Sequence, residues 1–272
     1  MGASLIAAGL GSIVGAILAL TGAGGGILAV PLLVFGLHLT IAQSAPVGLF
    51  AVGAASVFGA AIGLRKGEVR YRAAAFIGVV GMLVAPAGLK LARVLPNQPL
   101  TVAFALVLVA AAVRMLRQPR VNGAETLPPL RRSPCVTDAA TGRLVWTRRC
   151  TWALAVTGMV SGGLSGLLGV GGGFVIVPAL TRFSDLGVRM VISTSLAVIA
   201  IVSMGAIAAA AAQHALSWSI ALPFATGAVI ALLSVRPAAA RLAGRRLQQL
   251  FAVTSLLVAV LLVARATGVM PA

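Results

Sequence analysis

Apolar residues fall into ten blocks along the chain, at roughly 4–20, 27–37, 42–63, 73–92 and 99–116, then at 151–168, 174–182, 190–212, 217–235 and 247–264. A polar stretch at about 117–149 separates the two sets; it holds Pro119, Pro128, Pro129 and Pro134, with eight arginines from Arg114 to Arg149. Blocks of 17 or more apolar residues without an acid suit helices that cross a hydrocarbon core of about 30 Å. The polar stretch has too little apolar surface, and too many prolines, to build a core of its own. The pattern predicts an all-α integral membrane protein: a first membrane repeat over 1–117, a polar linker over 118–149 and a second membrane repeat over 150–272.

The two halves also match in letters. GAGGGILAVP at 22–31 and GVGGGFVIVP at 169–178 share six of ten positions at an offset of 147. Gly11 with Gly158, Gly15 with Gly162 and Leu33 with Leu180 keep that offset, and Ser44 aligns with Ser193 after a two-residue insertion. Internal duplication of this kind is common in transporters.

Charge selects between two threadings. One long crossing over 4–36 would leave 13 and 8 of the 21 Lys and Arg on the two sides. A chain that turns back at 22–26 and again at 169–173 leaves 18 and 3, a much sharper positive-inside bias. The second threading puts 65–72, 114–149, 182–189 and 236–246 in the cytoplasm and makes the halves inverted repeats. It implies about eight full transmembrane helices plus two Gly-broken, re-entrant half-helices, because 11 residues at 27–37 span only about 16 Å.

Composition agrees: 60% of residues are hydrophobic, only 9% are charged and mean hydropathy is +1.09, against about 25% charged in soluble domains. The net charge of +17 is divided by membrane spans, so it reads as a rim facing the cytoplasm and the bilayer, not as a nucleic-acid surface. The first 20 residues hold no Lys or Arg, so the N-terminus is expected to be part of the mature fold and not a cleaved leader.

Candidate chemistry centres on the two glycine triplets, Gly24, Gly25, Gly26 and Gly171, Gly172, Gly173. Irregular backbone at membrane depth is tolerated only where protein or a water-filled cavity satisfies it. A helix starting near Ile27, and another near Phe174, would each present unpaired N–H groups and a positive dipole end, which suits a small anion. Pro31 and Pro178 kink the following helices or line the site, and Thr21, Ser44, Ser193, Thr194 and Ser195 are hydroxyls near the breaks. Gly11, Gly15, Gly158, Gly162 and Gly166 are read instead as close-packing positions between helices.

Other chemistries are not supported. The triplets lack the GK[ST] of a phosphate loop, and no Ser-His-Asp set, Cys-His pair or metal cluster is visible, so neither an enzyme nor a cofactor or metal is expected. His38 and His214 read as surface positions, Cys135 and Cys150 as chemically uninformative, and Lys90, Arg93, Arg236 and Arg241 as snorkelling cations. No acid lies in an apolar block; an anion leaving the cell is driven by the membrane potential at about 2.3 kcal/mol per charge per 100 mV.

The paired GxGGGxxxVP segments, in a chain of this length with a polar central linker, resemble the TauE/SafE family of sulfite exporters over essentially the whole chain. The resemblance implies a multi-pass permease of the bacterial inner membrane for sulfite or a related sulfur-containing anion, organosulfonates included. The TSL element that the resemblance implies after the first hairpin stands instead in the second half, as Thr194, Ser195 and Leu196; the matching positions of the first half are Ala45, Pro46 and Val47, which removes two hydroxyls. Anion transport by alternating access between the two glycine breaks is the favoured activity, with an anion channel or a non-transporting membrane scaffold as alternatives; a homodimer is compatible with the sequence.

Overall fold

The protein, seen in a computed structural model that describes residues 2–22, 24–117, 135, 145–212, 216–242 and 245–266, is a bundle of helices. In chain order these are α1 (Gly2–Thr21), α2 (Gly24–Leu37), α3 (Ile41–Arg65), α4 (Tyr71–Val94), α5 (Asn97–Arg117), α6 (Arg148–Leu168), α7 (Gly173–Phe183), α8 (Val188–Ala212), α9 (Trp218–Leu242) and α10 (Arg245–Ala266). Among the described residues no strand forms; an isolated bridge pairs Cys135 with Ser184. Most of the predicted linker, and His214, lie outside the described residues.

Among the described residues six helices, α1, α3, α4, α6, α8 and α9, are long and apolar enough to cross a membrane. Over their described residues α5 and α10 are shorter apolar helices, as are α2 and α7. At 1.5 Å per residue the 14 residues of α2 and 11 of α7 rise roughly 21 and 16 Å, short of a hydrocarbon core of about 30 Å. Leu83, Val94, Leu106, Trp152, Ile230 and Val260 face outward, exposed to an extent that only lipid contact makes favourable for so many large apolar side chains.

The chain does turn back at the first break. Gly25 packs on Val14 and Leu18, and Gly36 on Leu10, so α2 runs antiparallel along α1. Glycine also sets the main helix crossings. A methyl group at Gly11 would strike the Phe224 carbonyl, and one at Gly15 that of Ala228, where α1 lies parallel to α9. At an offset of 147, Gly158 meets Ile77 and Gly162 meets Gly81, where α6 lies parallel to α4. The partners Ile77 and Gly81 are themselves 147 residues before Phe224 and Ala228, so one crossing repeats the other residue for residue. Backbones this close are possible only without side chains between them.

The two longest inner helices, α3 and α8, run antiparallel: Gly53 meets Ser203, Gly59 meets Leu196 and Gly63 meets Ser193. Thr40 caps α3 through the Gln43 N–H while the Gln43 side chain accepts from the Thr40 N–H, which fixes where the helix begins. At the other end of the bundle the basic segments converge. Glu68 of the α3–α4 turn meets Ser193, Arg236 reaches Gly59, Phe76 stacks edge-on against Trp146 at 5.4 Å, and Cys135 bridges Ser184.

Candidate functional site

Both glycine breaks leave helical geometry by positive φ, which only glycine adopts cheaply: Gly22 at 72° in the first, Gly169, Gly171 and Gly172 at 70°, 73° and 65° in the second. The helices that follow begin earlier than the sequence suggested. α2 starts at Gly24, not near Ile27, so Gly24, Gly25 and Gly26 form its first turn; α7 starts at Gly173, one residue before Phe174. Consequently the amides without intrahelical partners include glycine N–H groups themselves, and the backbone can approach a ligand without a side chain intervening.

The two starts meet. A methyl group on Gly26 would overlap the Val170 carbonyl, and Gly26 and Gly171 both lie against Val52, near the middle of α3. Gly171 also faces Ile199, near the middle of α8. Each break further packs on the inner helix of the opposite half, Gly22 on Ile192 and Gly169 on Ala45. Gly171, Gly172 and Gly173 are buried, yet α7 has no side-chain cap at its N-terminus. The Gly172 carbonyl accepts from the N–H groups of Val175 and Ile176, at 3.0 and 3.3 Å, and from the Ser161 hydroxyl at 3.4 Å. A buried helix start with a positive dipole end and no side-chain cap is a place where a small anion gains charge-assisted bonds.

The expected hydroxyls divide into two groups. Ser44 is fully buried beside the second break but donates to its own helix at the Thr40 carbonyl, 2.9 Å away, and Ser195 does likewise to Val191 at 2.7 Å. Ser193 and Thr194 stand at the basic end. Ser193 donates to the Glu68 carboxylate at 2.9 Å, and Thr194 accepts from the Arg70 N–H at 3.1 Å. Pro31 is buried and Pro178 half-buried, each inside its short helix. Pro31 also borders a pocket of about 340 Å³ between α1, α2 and α10, walled by Ile13, Ile17, Leu28 and Phe35; its apolar lining suits an acyl chain, not an anion.

Sequence reasoning overlooked Ser56, Ser161, Ser165 and Ser203, all fully buried. The hydroxyls of Ser56, Ser165 and Ser203 have no hydrogen-bond partner among the described residues, which costs about 1–3 kcal/mol each unless something polar reaches them. The available signal was serine within an otherwise apolar block. Two other readings change. Arg236 does not snorkel outward but turns inward to the Gly59 carbonyl, because the side-chain-free face of α3 leaves room for it. Cys135 and Cys150, read as uninformative, form a buried disulfide that ties the linker to the start of α6. His38 is exposed, as expected, in the left-handed turn after α2. Among the described residues no group of three or more His, Cys, Asp or Glu gathers.

The family described as "Sulfite exporter TauE/SafE" matches residues 7–262. Two relatives from Xylella fastidiosa, both described as "Probable membrane transporter protein", are similar: one from strain 9a5c at 30% identity over 230 residues, one from strain Temecula1 at 32% over 232 residues. In each case the match covers 83% of this chain and 80% of the relative. No solved structure matches the chain.

Proposed function

Since the chain belongs to the sulfite exporter TauE/SafE family of membrane transporters, we propose that it carries a small sulfur-containing anion, sulfite or an organosulfonate, across the bacterial inner membrane. The anion binds where the first turns of α2 and α7 meet, held by the N–H groups of Gly24, Gly25, Gly26 and Ile27 from one side and of Gly173 and Phe174 from the other. The observation that carries this reading is the contact between two buried, glycine-started helix ends at mid-height of α3 and α8. Ser44, Pro31 and Pro178 shape the walls, while Gly171 and Gly172 keep side chains out of the space ahead of α7.

The two halves act as inverted repeats, with α5 and α10 completing eight full spans. Support comes from the antiparallel course of α3 and α8, which occupy matching places in the two halves, and from the matched α1–α9 and α6–α4 crossings. One repeat rocking against the other exposes the junction alternately to each side. No apolar block supplies a carboxylate relay, so the membrane potential alone is sufficient to drive an anion outward.

Purified protein in liposomes is expected to take up radiolabelled sulfite saturably, with competition from thiosulfate or a small organosulfonate. Linear, non-saturating flux would replace the carrier with a channel, and folded protein without any sulfur-anion flux would remove the substrate class.

Topology has its own test, since the chain holds only two cysteines. With the basic end in the cytoplasm, the reducing environment there should open the Cys135–Cys150 disulfide seen in the structure and leave both residues as thiols in the cell. Cells lysed directly into denaturant with a maleimide-polyethylene glycol reagent should then give a doubly shifted band without reductant. A shift that needs reductant would place the basic end on the oxidising side and reverse the proposed orientation.

A further inference from the structure

Ser56 in α3 and Ser203 in α8 are fully buried, and neither hydroxyl has a hydrogen-bond partner among the described residues. The same bundle shows the usual outlet for such a group. Ser44, Thr157, Ser184 and Ser195 are buried too, and each donates to the carbonyl four residues back in the chain, at 2.6–2.9 Å. Ser56 and Ser203 forgo that bond, at a cost to the fold.

The two serines are one position occurring twice. α3 and α8 begin at Ile41 and Val188 and end at Arg65 and Ala212, each pair 147 residues apart, and Ser203 follows Ser56 at that offset. The other unpaired serines, Ser165 and Ser255, have Leu18 and Leu108 at the matching places, so among the described residues only this pair recurs in both halves.

Both stand on the helix faces that carry the junction of the glycine breaks. A Cβ on Gly171 would stand 3.2 Å from the Val52 side chain and 3.2 Å from that of Ile199, themselves a repeat pair. Ser56 lies four residues after Val52 and Ser203 four after Ile199, one helical turn along, with Cβ atoms about 5–6 Å apart. The two serines are also close to each other. A Cβ on Gly53 would meet the Ser203 Cβ at 2.7 Å and its Oγ at 3.2 Å, and Ser56 is one turn beyond Gly53. The Ser56 and Ser203 Cβ atoms are therefore within roughly 8–9 Å of each other, from opposite halves.

We propose that Ser56 and Ser203 are a matched pair of hydroxyl donors to the transported anion, one from each half, supplementing the glycine N–H groups of α2 and α7. The inference rests on the proposed transport and names the side chains that hold its substrate. Two donors several ångströms apart fit an anion whose acceptor oxygens point in more than one direction, as in sulfite and sulfonates. Hydroxyls that bond to no carbonyl of their own helix stay available to that anion, which supplies the acceptor each lacks.

The test is initial uptake of radiolabelled sulfite into proteoliposomes over a concentration series, alongside thermal unfolding of the same proteins in detergent without sulfite. Ser56→Ala and Ser203→Ala should each raise KM by about tenfold, the loss expected for one hydrogen bond to a charged group, and the double variant should raise it further than either. Neither alanine should lower Tm, since each removes an unpaired hydroxyl and no bond. Thr157→Ala, which removes a buried hydroxyl already bonded to its own helix, should leave KM within about twofold. An unchanged KM in either single variant, or a double variant no worse than the singles, overturns the pair while leaving sulfite transport standing. An alanine variant that fails to fold, or unfolds well below wild type, shows its hydroxyl to be bonded within the protein and overturns the pair as well. Wild-type protein that does not carry sulfite overturns both the pair and the transport it rests on.

Discussion

Replacing Gly172 by leucine is expected to reduce sulfite uptake to the level of empty vesicles, while the protein remains in the membrane fraction. Gly172 holds φ at 65° immediately before α7, and a Cβ there would stand 2.6 Å from the Ser161 carbonyl oxygen. An L-residue in that conformation costs about 1–2 kcal/mol in backbone strain alone. Its side chain would displace the carbonyl that organises the first turn of α7 and fill the space ahead of the Gly173 and Phe174 N–H groups. Gly25→Leu should act similarly from the other side, because a Cβ there meets the Val14 carbonyl at 2.5 Å and Leu18 at 2.7 Å.

Two companions separate loss of the site from loss of the fold. Gly171→Ala places a methyl group 3.2 Å from Val52 and Ile199, side-chain tips that yield by a few tenths of an ångström, so the bundle survives while the junction narrows. Uptake should drop by about tenfold, given that small misplacements at a preorganised site cost one to two orders of magnitude. Gly67→Ala carries comparable strain, at φ 69°, in open surroundings at the basic end, and should leave uptake within about twofold. Normal flux from both leucine variants would sink the two-tip site, and equal losses from Gly67→Ala and Gly171→Ala would assign the effect to strain.

The second large effect is on stability. Gly162→Leu forces a side chain into the α6–α4 crossing, where the Gly81 backbone already occupies the position of a Cβ. Neither helix can yield locally, since the obstacle is main chain and not a movable side chain. Overpacking of this kind costs about 3 kcal/mol or more, a drop of roughly 6–12 °C in Tm. Gly15→Leu, at the matching place in the α1–α9 crossing, should lower Tm comparably. Thermal unfolding followed by loss of the monodisperse species measures both. A Tm within about 1 °C of wild type for either variant would mean that the crossing is looser than described, and a large asymmetry would weaken the equivalence of the two halves.

Much of this architecture is written in local pattern. Ten apolar blocks give ten helices among the described residues because in a bilayer the backbone must satisfy itself within each segment. The breaks at Gly22 and at Gly169 to Gly172 are legible because glycine clusters terminate helices wherever they occur. Duplication is legible too, through letters at a fixed offset, and it anticipated which glycines would sit at helix crossings. Where the helices restart was misjudged by one to three residues: glycine lowers helix propensity by only about 1 kcal/mol, a deficit that the packing of Gly25 on α1 outweighs.

What the sequence determined alone is the succession of apolar helices, the glycine breaks between them, the repeat of letters and the family. The tertiary structure decided which half each break touches, that Ser193 and Thr194 face Glu68 and Arg70 and not the α7 tip, that Arg236 points inward, and that Cys135 meets Cys150. The division has one physical cause. Hydropathy and glycine content act through solvent and backbone, so they leave a local signature. A hydroxyl, a guanidinium or a thiol is assigned its partner by whichever helix folding brings alongside it, and nothing within a few residues of Arg70 or Cys135 records that distant neighbour.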